Sequence, residues 1–388
     1  MPRSGYVKIS SSSGETWILA TRIKELKEID AVFFDCDGVL IDTRKSCDAA
    51  IVKTVRFLAR KIMGIVIPTT VSLTQAIVKL RKSGGFNNDW NVSYALLLGL
   101  CAYAPRKDEI QEPLNKHDTI SEQISITEDL SRFNAGKITD TSQWARTGER
   151  ILQLGEKADS TGIESIIRIL VAEGYSERVT SLKKQLGCPV ESSIVGRVFD
   201  ELFYGRELFH QKFGVYPKFS SSNGLVEKET PLVNQKTMDL LQRRFTTRKL
   251  GIISGRDYIS ASNTLGSLMK NFERNNLIFL MDETSYETTR QECLQALHNK
   301  PNPEIIIEAV KNIGSFRRCL YVGDSAEDLI MVQRANKIAS KFAFAGVYDS
   351  LNSKDEIRSH FLTERADILM PSVNNLPDVL SAIGEMEK

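Results

Sequence analysis

The sequence is poor in the residues that build disulfide frameworks and zinc sites. Its 388 residues include only six cysteines, none of them in a Cys-x-x-Cys pair, and four histidines that stand far apart. A disulfide-stapled secreted domain or a structural zinc site needs closely spaced clusters of these residues. Neither class of protein is therefore indicated.

Long apolar runs and an excess of one charge are missing too. The longest apolar run, "ALLLGLCAYA" (Ala95 to Ala104), is about half of a membrane-spanning helix, and the N-terminal "MPRSGYVKISSSSG" lacks the apolar core of a signal peptide. Lys plus Arg (51) nearly balances Asp plus Glu (49), so there is no general field to attract nucleic acid or an anionic membrane. We expect a cytoplasmic protein that binds neither.

Short apolar runs alternate with amphipathic stretches in two separate blocks. The first block is only "DAVFFDCD"; the second begins near residue 230 and contains "RKLGIISG", "NLIFLMD", "RRCLYVGD", "KFAFAGVYD" and "ADILMPSV". Amphipathic segments flank these runs at Thr237–Arg244, Glu304–Ile313 and Asp328–Ala339. Strands buried on both faces and alternating with helices are typical of a parallel α/β sheet, so we predict a Rossmann-like core.

The chain between the two blocks is helical in character. It contains "SCDAAIVKTVRFLARKIMG", "VSYALLLGLCAYA", "IESIIRILVAEG" and "SSIVGRVFDELFYGRELFHQKFG", with little strand signal. We predict a mostly α-helical domain, residues 46–222, inserted into a discontinuous core, residues 1–45 and 223–388. Residues 106–148 are polar and weakly periodic and are interpreted as an outer insertion or a dimer contact, in a protein that is a monomer or a homodimer.

Several of the predicted strands end in polar or acidic residues. Asp35 and Asp37 follow the first strand, Ser254 ends another, and Asp324 follows a third, with Asp328 one helical turn later. The carboxyl ends of parallel strands share one edge of the sheet, where ligands bind. Clustered carboxylates repel one another, and oxygen ligands select magnesium over zinc. The pattern therefore predicts a Mg²⁺ site.

These stretches resemble the motifs of the haloacid dehalogenase superfamily, in the subfamily that carries a helical cap of the C1 type. "FFDCDGVLID", "GIISGRD", "KPNPE" (Lys300 to Glu304) and "YVGDSAEDL" (Tyr321 to Leu329) follow one another in the family's order and spacing. In addition, "GGFNNDW", "FDELFYG" and "VEKETPLV" are similar to members near the phosphoglycolate phosphatases. The resemblance implies a Mg²⁺-dependent phosphatase that hydrolyses a small phosphorylated metabolite through an aspartyl-phosphate.

The resemblance also implies roles for single residues. Asp35 is the nucleophile, and Asp37 is the acid and base, with its main-chain carbonyl on the metal. Ser254 holds phosphoryl oxygens, and Lys300 pairs with both nucleophile and phosphate. Taken alone, Asp35 would be better explained as a helix cap and Lys300 as a surface lysine. The remaining implied residues are Asp324 and Asp328 on the metal, and Gly38 and Gly255 near the substrate. Arg256, a basic residue shortly after Ser254 at the same edge of the predicted sheet, is a further candidate for substrate binding.

The inserted domain is expected to select the substrate. "RKSGGFNNDWN" (Arg81 to Asn91) combines glycines, an aromatic pair, amides and bases, which suits a loop that contacts a polar leaving group. Its candidate substrate-binding residues are Asn88, Asp89 and Trp90. A plain connection between two helices explains the same stretch about as well.

Two other functions compete with the phosphatase: a phosphomutase similar to β-phosphoglucomutase, and a catalytically silent binding protein. Mutases of this type carry a histidine in the linker to the cap, at the position of Cys47 here, which weakens that reading. Asp37 argues against a dehalogenase, which lacks the second acid. The presence of every reacting group disfavours a silent protein.

Overall fold

The computed structural model describes residues 5–11, 14–86, 88–105, 141–187, 190, 193–220, 222–283, 300–349 and 354–386. The chain divides into two compact units: an α/β unit made of Met1–Arg44 and Lys228–Lys388, and a helical unit made of Lys45–Glu227. Much of the segment 106–148, interpreted above as an insertion or dimer contact, lies outside the described residues.

Among the described residues, the named strands lie in the α/β unit. They are β1 (Tyr6–Ser11), β2 (Gly14–Leu19), β3 (Ile29–Phe34), β4 (Ile41–Asp42), β5 (Thr230–Pro231), β6 (Leu250–Ser254), β7 (Leu277–Phe279), β8 (Arg318–Gly323), β9 (Phe342–Val347) and β10 (Ile368–Met370). Eight of them form one sheet in the order β1-β2-β10-β9-β8-β3-β6-β7. From β10 to β7 every neighbouring pair is parallel, which confirms the predicted parallel-sheet core.

Burial on both faces explains why these strands are continuous apolar runs. Every residue of β6, β8 and β9 is buried. Alternate side chains of β3 belong to different hydrophobic clusters, with Val32 and Phe34 in one and Ala31 and Phe33 in the other. Helices supply the other side of each cluster: α1 (Ile23–Leu26), α9 (Gln235–Arg244), α10 (Tyr258–Leu265), α11 (Glu304–Ala309), α12 (Ala326–Ile338), α13 (Lys354–Thr363) and α14 (Leu376–Glu385).

An N-terminal hairpin extends the sheet and was not predicted. Strands β1 and β2 pair antiparallel, and β2 pairs antiparallel with β10, so the hairpin forms one edge of an otherwise parallel sheet. Trp17 anchors it through an edge-to-face contact with Tyr348, whose hydroxyl donates a hydrogen bond to the Glu15 carbonyl oxygen at 2.8 Å. The N-terminal part of the core therefore contains β1 and β2 in addition to β3.

The two chain segments that lead to and from the insertion lie side by side. Strand β4 pairs antiparallel with β5, with Ile41 opposite Pro231 and Asp42 opposite Thr230. The Leu232 amide also donates to the Leu40 carbonyl oxygen at 2.8 Å. Backbone hydrogen bonds therefore join the segment that precedes the insertion to the segment that follows it.

The helical unit is built from α2 (Cys47–Met63), α3 (Leu73–Lys82), α4 (Asp89–Tyr103), α5 (Thr141–Lys157), α6 (Ile163–Ala172), α7 (Ser176–Leu186) and α8 (Ile194–Phe213). Nearly all of α4 is buried among the other helices, which accounts for the long apolar run in the sequence. None of the helices in the described part of the chain combines the length and apolarity that a membrane span requires. Helix α8 is interrupted at Gly205, whose φ of 70° suits glycine.

Candidate active site

The sheet order brings the motif residues to one edge. Strand β3 lies between β8 and β6 and runs parallel to both. Asp35 follows β3, Asp324 follows β8 and Ser254 ends β6, so all of them lie at adjacent carboxyl ends. The Asp35 amide continues the ladder by donating to the Val322 carbonyl oxygen at 2.9 Å.

Carboxylates from two strands and a helix converge at this edge. Asp35, Asp324 and Asp328 each offer an oxygen atom, and these atoms lie within 4.8 Å of one another. Lys300 is inserted among them: its Nζ lies 2.8 Å from Asp35 Oδ1 and 2.9 Å from Asp328 Oδ1. The fold therefore brings together residues that are far apart along the chain.

Burial and mutual repulsion shift the protonation of this cluster. Burial, together with the nearby Asp328 and Asp37 charges, raises the pKa of Asp35 to about 7, although Lys300 opposes the shift. Burial and the Asp35 and Asp328 charges raise the pKa of Asp324 well above its usual value. Despite burial, the same carboxylates hold the pKa of Lys300 well above its usual value.

The donor set fits a hard divalent cation. The three carboxylates supply oxygen ligands only, which suits Mg²⁺ rather than zinc. Asp328 is fully buried, and its Oδ1 has no hydrogen bond of standard geometry to the described residues, apart from its ion pair with Lys300. A buried carboxylate oxygen that lacks a hydrogen bond of standard geometry is suited to bind a cation. A cation at this position would also stabilise the ionised forms of Asp35 and Asp324.

A tight loop after β3 orients the first motif. The Cys36 carbonyl oxygen accepts hydrogen bonds from the Leu40 and Ile41 amides at 2.8 and 2.9 Å, and the Gly38 amide donates to the Ile41 carbonyl oxygen at 2.9 Å. Gly38 has a φ of 73°, in the left-handed region that favours glycine. The loop fixes the Asp35 side chain as well, since Asp35 Oδ1 accepts from the Cys36 amide at 2.8 Å.

The second motif places a buried arginine beside the second acid. Arg256 Nη1 lies 2.8 Å from Asp37 Oδ1, and Nη2 lies 2.8 Å from Glu229 Oε2. Ser254 is buried, and its Oγ accepts a hydrogen bond from the Arg256 amide at 3.3 Å. Gly255 is exposed, and a Cβ built there would meet no atom within 4 Å.

The three candidate residues in the helical unit have partners within that unit. Asn88 caps α4, where its side chain accepts from the Trp90 and Asn91 amides. Asp89 pairs with Arg81 at 2.8 Å, and Trp90 Nε1 donates to Asp200 Oδ1 at 3.0 Å. These contacts match those of a helix–helix connection, and contact with substrate stays a prediction.

Sequence reasoning missed two residues of this site. A Cβ at Gly323 would lie 2.6 Å from Asp328 Oδ2, so glycine makes room for that carboxylate. The glycine directly before Asp324 in "YVGDSAEDL" is the sequence signal from which this role could have been predicted. Glu229 belongs to "VEKETPLV", but nothing in that stretch predicts its burial, because an isolated acid in a polar linker is ordinarily exposed to solvent.

Comparisons with known proteins find a family model and several solved structures that are similar to this chain. A model of haloacid dehalogenase-like hydrolases matches residues 29–336. The X-ray structure of a Northeast Structural Genomics Consortium target is 16% identical with a TM-score of 0.61, covering 92% of this chain and 99% of that chain. A phosphatase from Thermococcus thioreducens is 20% identical (TM-score 0.48, 85% and 98% covered), and a hydrolase from Pseudomonas syringae is 15% identical (TM-score 0.35, 91% and 99% covered).

At 16% identity, the Consortium target bears on the fold alone, and a search of curated proteins gave no match. The family match carries the assignment, because it spans most of the chain and includes all four sequence motifs in full. The chain belongs to the haloacid dehalogenase-like hydrolase family.

Proposed function

We propose that this hydrolase is a Mg²⁺-dependent phosphatase that acts on a small phosphorylated metabolite. The observation that carries the proposal is the convergence of Asp35, Asp324 and Asp328 around Lys300 at the carboxyl edge of the sheet. Asp37 lies two residues from Asp35, which provides the second acid that two-step hydrolysis requires.

The residues divide the reaction into two displacements. The Asp35 carboxylate attacks phosphorus while Asp37 gives its proton to the leaving oxygen, and an aspartyl-phosphate and an alcohol result. Asp37 then takes a proton from water, whose oxygen attacks the same phosphorus and releases phosphate and the Asp35 carboxylate. Lys300 orients Asp35 and draws charge from the phosphoryl oxygens, which Ser254 also contacts. Mg²⁺, held by Asp35, Asp324, Asp328 and the Asp37 main chain, would neutralise further phosphoryl charge.

The proposed function is tested by following phosphate release from a panel of phosphorylated metabolites with and without Mg²⁺. We expect release to require Mg²⁺, and Asp35→Asn to abolish it while the far-UV circular dichroism spectrum stays unchanged. Ca²⁺ should inhibit, because its looser and higher coordination misplaces the reacting groups. Turnover by Asp35→Asn in the presence of a chelator would contradict the mechanism.

Phosphorus NMR separates the phosphatase from a phosphomutase. A phosphatase incubated with its ester releases inorganic phosphate steadily. A mutase supplied with a hexose 1-phosphate would accumulate the 6-phosphate without free phosphate, and that result would replace the proposal.

A further inference from the structure

Arg256 occupies a buried position between two carboxylates. Its side chain is 6% exposed, and its guanidinium lies 2.8 Å from Asp37 Oδ1 on one side and 2.8 Å from Glu229 Oε2 on the other. The third guanidinium nitrogen, Nε, donates to Ser260 Oγ at 3.2 Å. Each nitrogen of the group therefore has a partner within the α/β unit.

Glu229 is the more deeply buried of the two acids. Its side chain has no exposed surface, whereas the Asp37 side chain is 43% exposed. The Thr264 hydroxyl also donates to Glu229 Oε2 at 3.0 Å. A buried carboxylate without a cation is strongly destabilising, so Arg256 is retained by Glu229 more firmly than by Asp37.

This asymmetry determines what the arginine can do. If Arg256 moved to bind an anionic substrate, the buried Glu229 carboxylate would lose its 2.8 Å ion pair with the guanidinium. If it stays, its planar and rigid fork presents Nη1 at a fixed point beside the proposed acid and base. The arrangement suits orientation of Asp37 better than the substrate contact that the sequence suggested for Arg256.

We propose that Arg256 is a positioning residue that holds the Asp37 side chain, and that Glu229 anchors it from the interior. The inference rests on the proposed phosphatase function, because it needs Asp37 to transfer protons. Arg256 and Glu229 then act on the reaction only through Asp37, and their substitution should lower kcat while KM changes little.

A double-mutant cycle tests this dependence. Glu229→Gln and Arg256→Lys are each made in the wild type and in Asp37→Asn, and kcat and KM are measured with Mg²⁺ on phenyl phosphate and p-nitrophenyl phosphate. In the wild type, each change should lower kcat for phenyl phosphate by about tenfold to a hundredfold, part of the usual contribution of an acid–base group. The loss should be smaller for p-nitrophenyl phosphate, whose leaving group needs less protonation. In Asp37→Asn, the same changes should cost less than about twofold.

Two further variants separate positioning from stability. Arg256→Met combined with Glu229→Gln leaves neither buried charge unpaired, so it should fold and reproduce the loss. Asp367→Asn is the matched control, because it removes a carboxylate that pairs with Arg22 Nε at 2.8 Å directly before β10, at the opposite edge of the sheet. Its kcat should stay within about twofold of the wild-type value.

The outcomes distinguish the two proposals. A rise in KM on both substrates would show that Arg256 binds substrate. A fold-loss of kcat that is as large in Asp37→Asn as in the wild type would show that Arg256 acts independently of Asp37. Either result would overturn this inference alone. A wild-type protein that hydrolyses neither ester with Mg²⁺, nor any member of the metabolite panel, would overturn the proposed function and this inference together.

Discussion

Gly323 controls where the Asp328 side chain can lie. It ends β8, and the Asp328 carboxylate occupies the space that a side chain at position 323 would fill. Asp328 is held there from other sides as well, since its Oδ2 accepts from the Ser325 hydroxyl at 2.7 Å and its Oδ1 pairs with Lys300. The carboxylate therefore has little freedom to move aside.

Gly323→Ala should weaken Mg²⁺ binding and phosphatase activity by about tenfold to a hundredfold, the usual range for disturbing the support of a metal ligand. The added methyl group would lie 2.6 Å from Asp328 Oδ2, which forces the carboxylate away from Asp35 and Asp324. Isothermal titration with Mg²⁺ measures the effect independently of turnover. Gly384→Ala is the matched control, because no atom lies within 4 Å of a Cβ there, and unchanged Mg²⁺ affinity in Gly323→Ala would contradict the argument.

The acids of the site could be predicted because topology alone gathers them. Once β3 and β8 are recognised as parallel neighbours, Asp35 and Asp324 must lie at one edge. The partner of Arg256 could not be predicted, because Glu229 becomes buried only when the chain returns from the insertion and packs against α10. A charge pattern along the sequence carries no information on such a distant partner.

At the level of elements, the stretch before α4 has a structural task that bears on its proposed contact with substrate. Asn88 accepts hydrogen bonds from the Trp90 and Asn91 amides at 2.8 and 3.4 Å, which satisfies donors that the first turn of a helix leaves free. Any variant of Asn88 therefore changes helix stability in addition to any effect on the substrate.

Asn88→Ala should lower the free energy of unfolding by about 1 kcal/mol, the typical cost of losing a helix N-cap. Chemical denaturation measures this loss, and Asn88→Asp, which retains a capping oxygen, should restore most of it. If the residue also contacts the leaving group, kcat/KM for the true substrate should fall in both variants, while hydrolysis of an aryl phosphate stays unchanged. Equal activity of both variants on both substrates would leave only the capping role.

Elements with a strong periodic pattern were predicted well, whereas the hairpin was missed. Helix α12 runs from Ala326 to Ile338, close to the amphipathic stretch Asp328–Ala339, and begins with a capping box between Ser325 and Asp328. The alternation in "YVKIS" and "ETWIL" is that of strands, but both runs are short. The pairing of β2 with β10, some 350 residues away, is what gives the hairpin a place in the sheet.

For the molecule as a whole, metal binding and protonation are coupled through the same carboxylates. The raised pKa of Asp35, about 7, means that the metal-free folded protein binds a proton there that the unfolded chain releases near pH 4. Because the folded state holds more protons between these values, the contribution of Asp35 to the stability of the metal-free protein falls as pH rises from about 4 to about 7. Mg²⁺ has to displace that proton below pH 7, so its apparent affinity should weaken as pH falls.

We therefore expect Mg²⁺ to increase the melting temperature more at about pH 8 than at about pH 5.5. Mg²⁺ at a concentration near 100 times its dissociation constant adds about 2.7 kcal/mol to the free energy of unfolding. For a unit of this size, that gain raises the melting temperature by roughly 5 to 10 °C. Differential scanning calorimetry with Mg²⁺ or a chelator at both pH values measures the gain. Asp324→Asn should abolish it by removing a ligand, and Asp367→Asn, whose carboxylate lies at the other edge of the sheet, should retain it. A gain that is equal at both pH values would show that proton release from Asp35 does not accompany binding, and a gain that survives in Asp324→Asn would place the cation elsewhere.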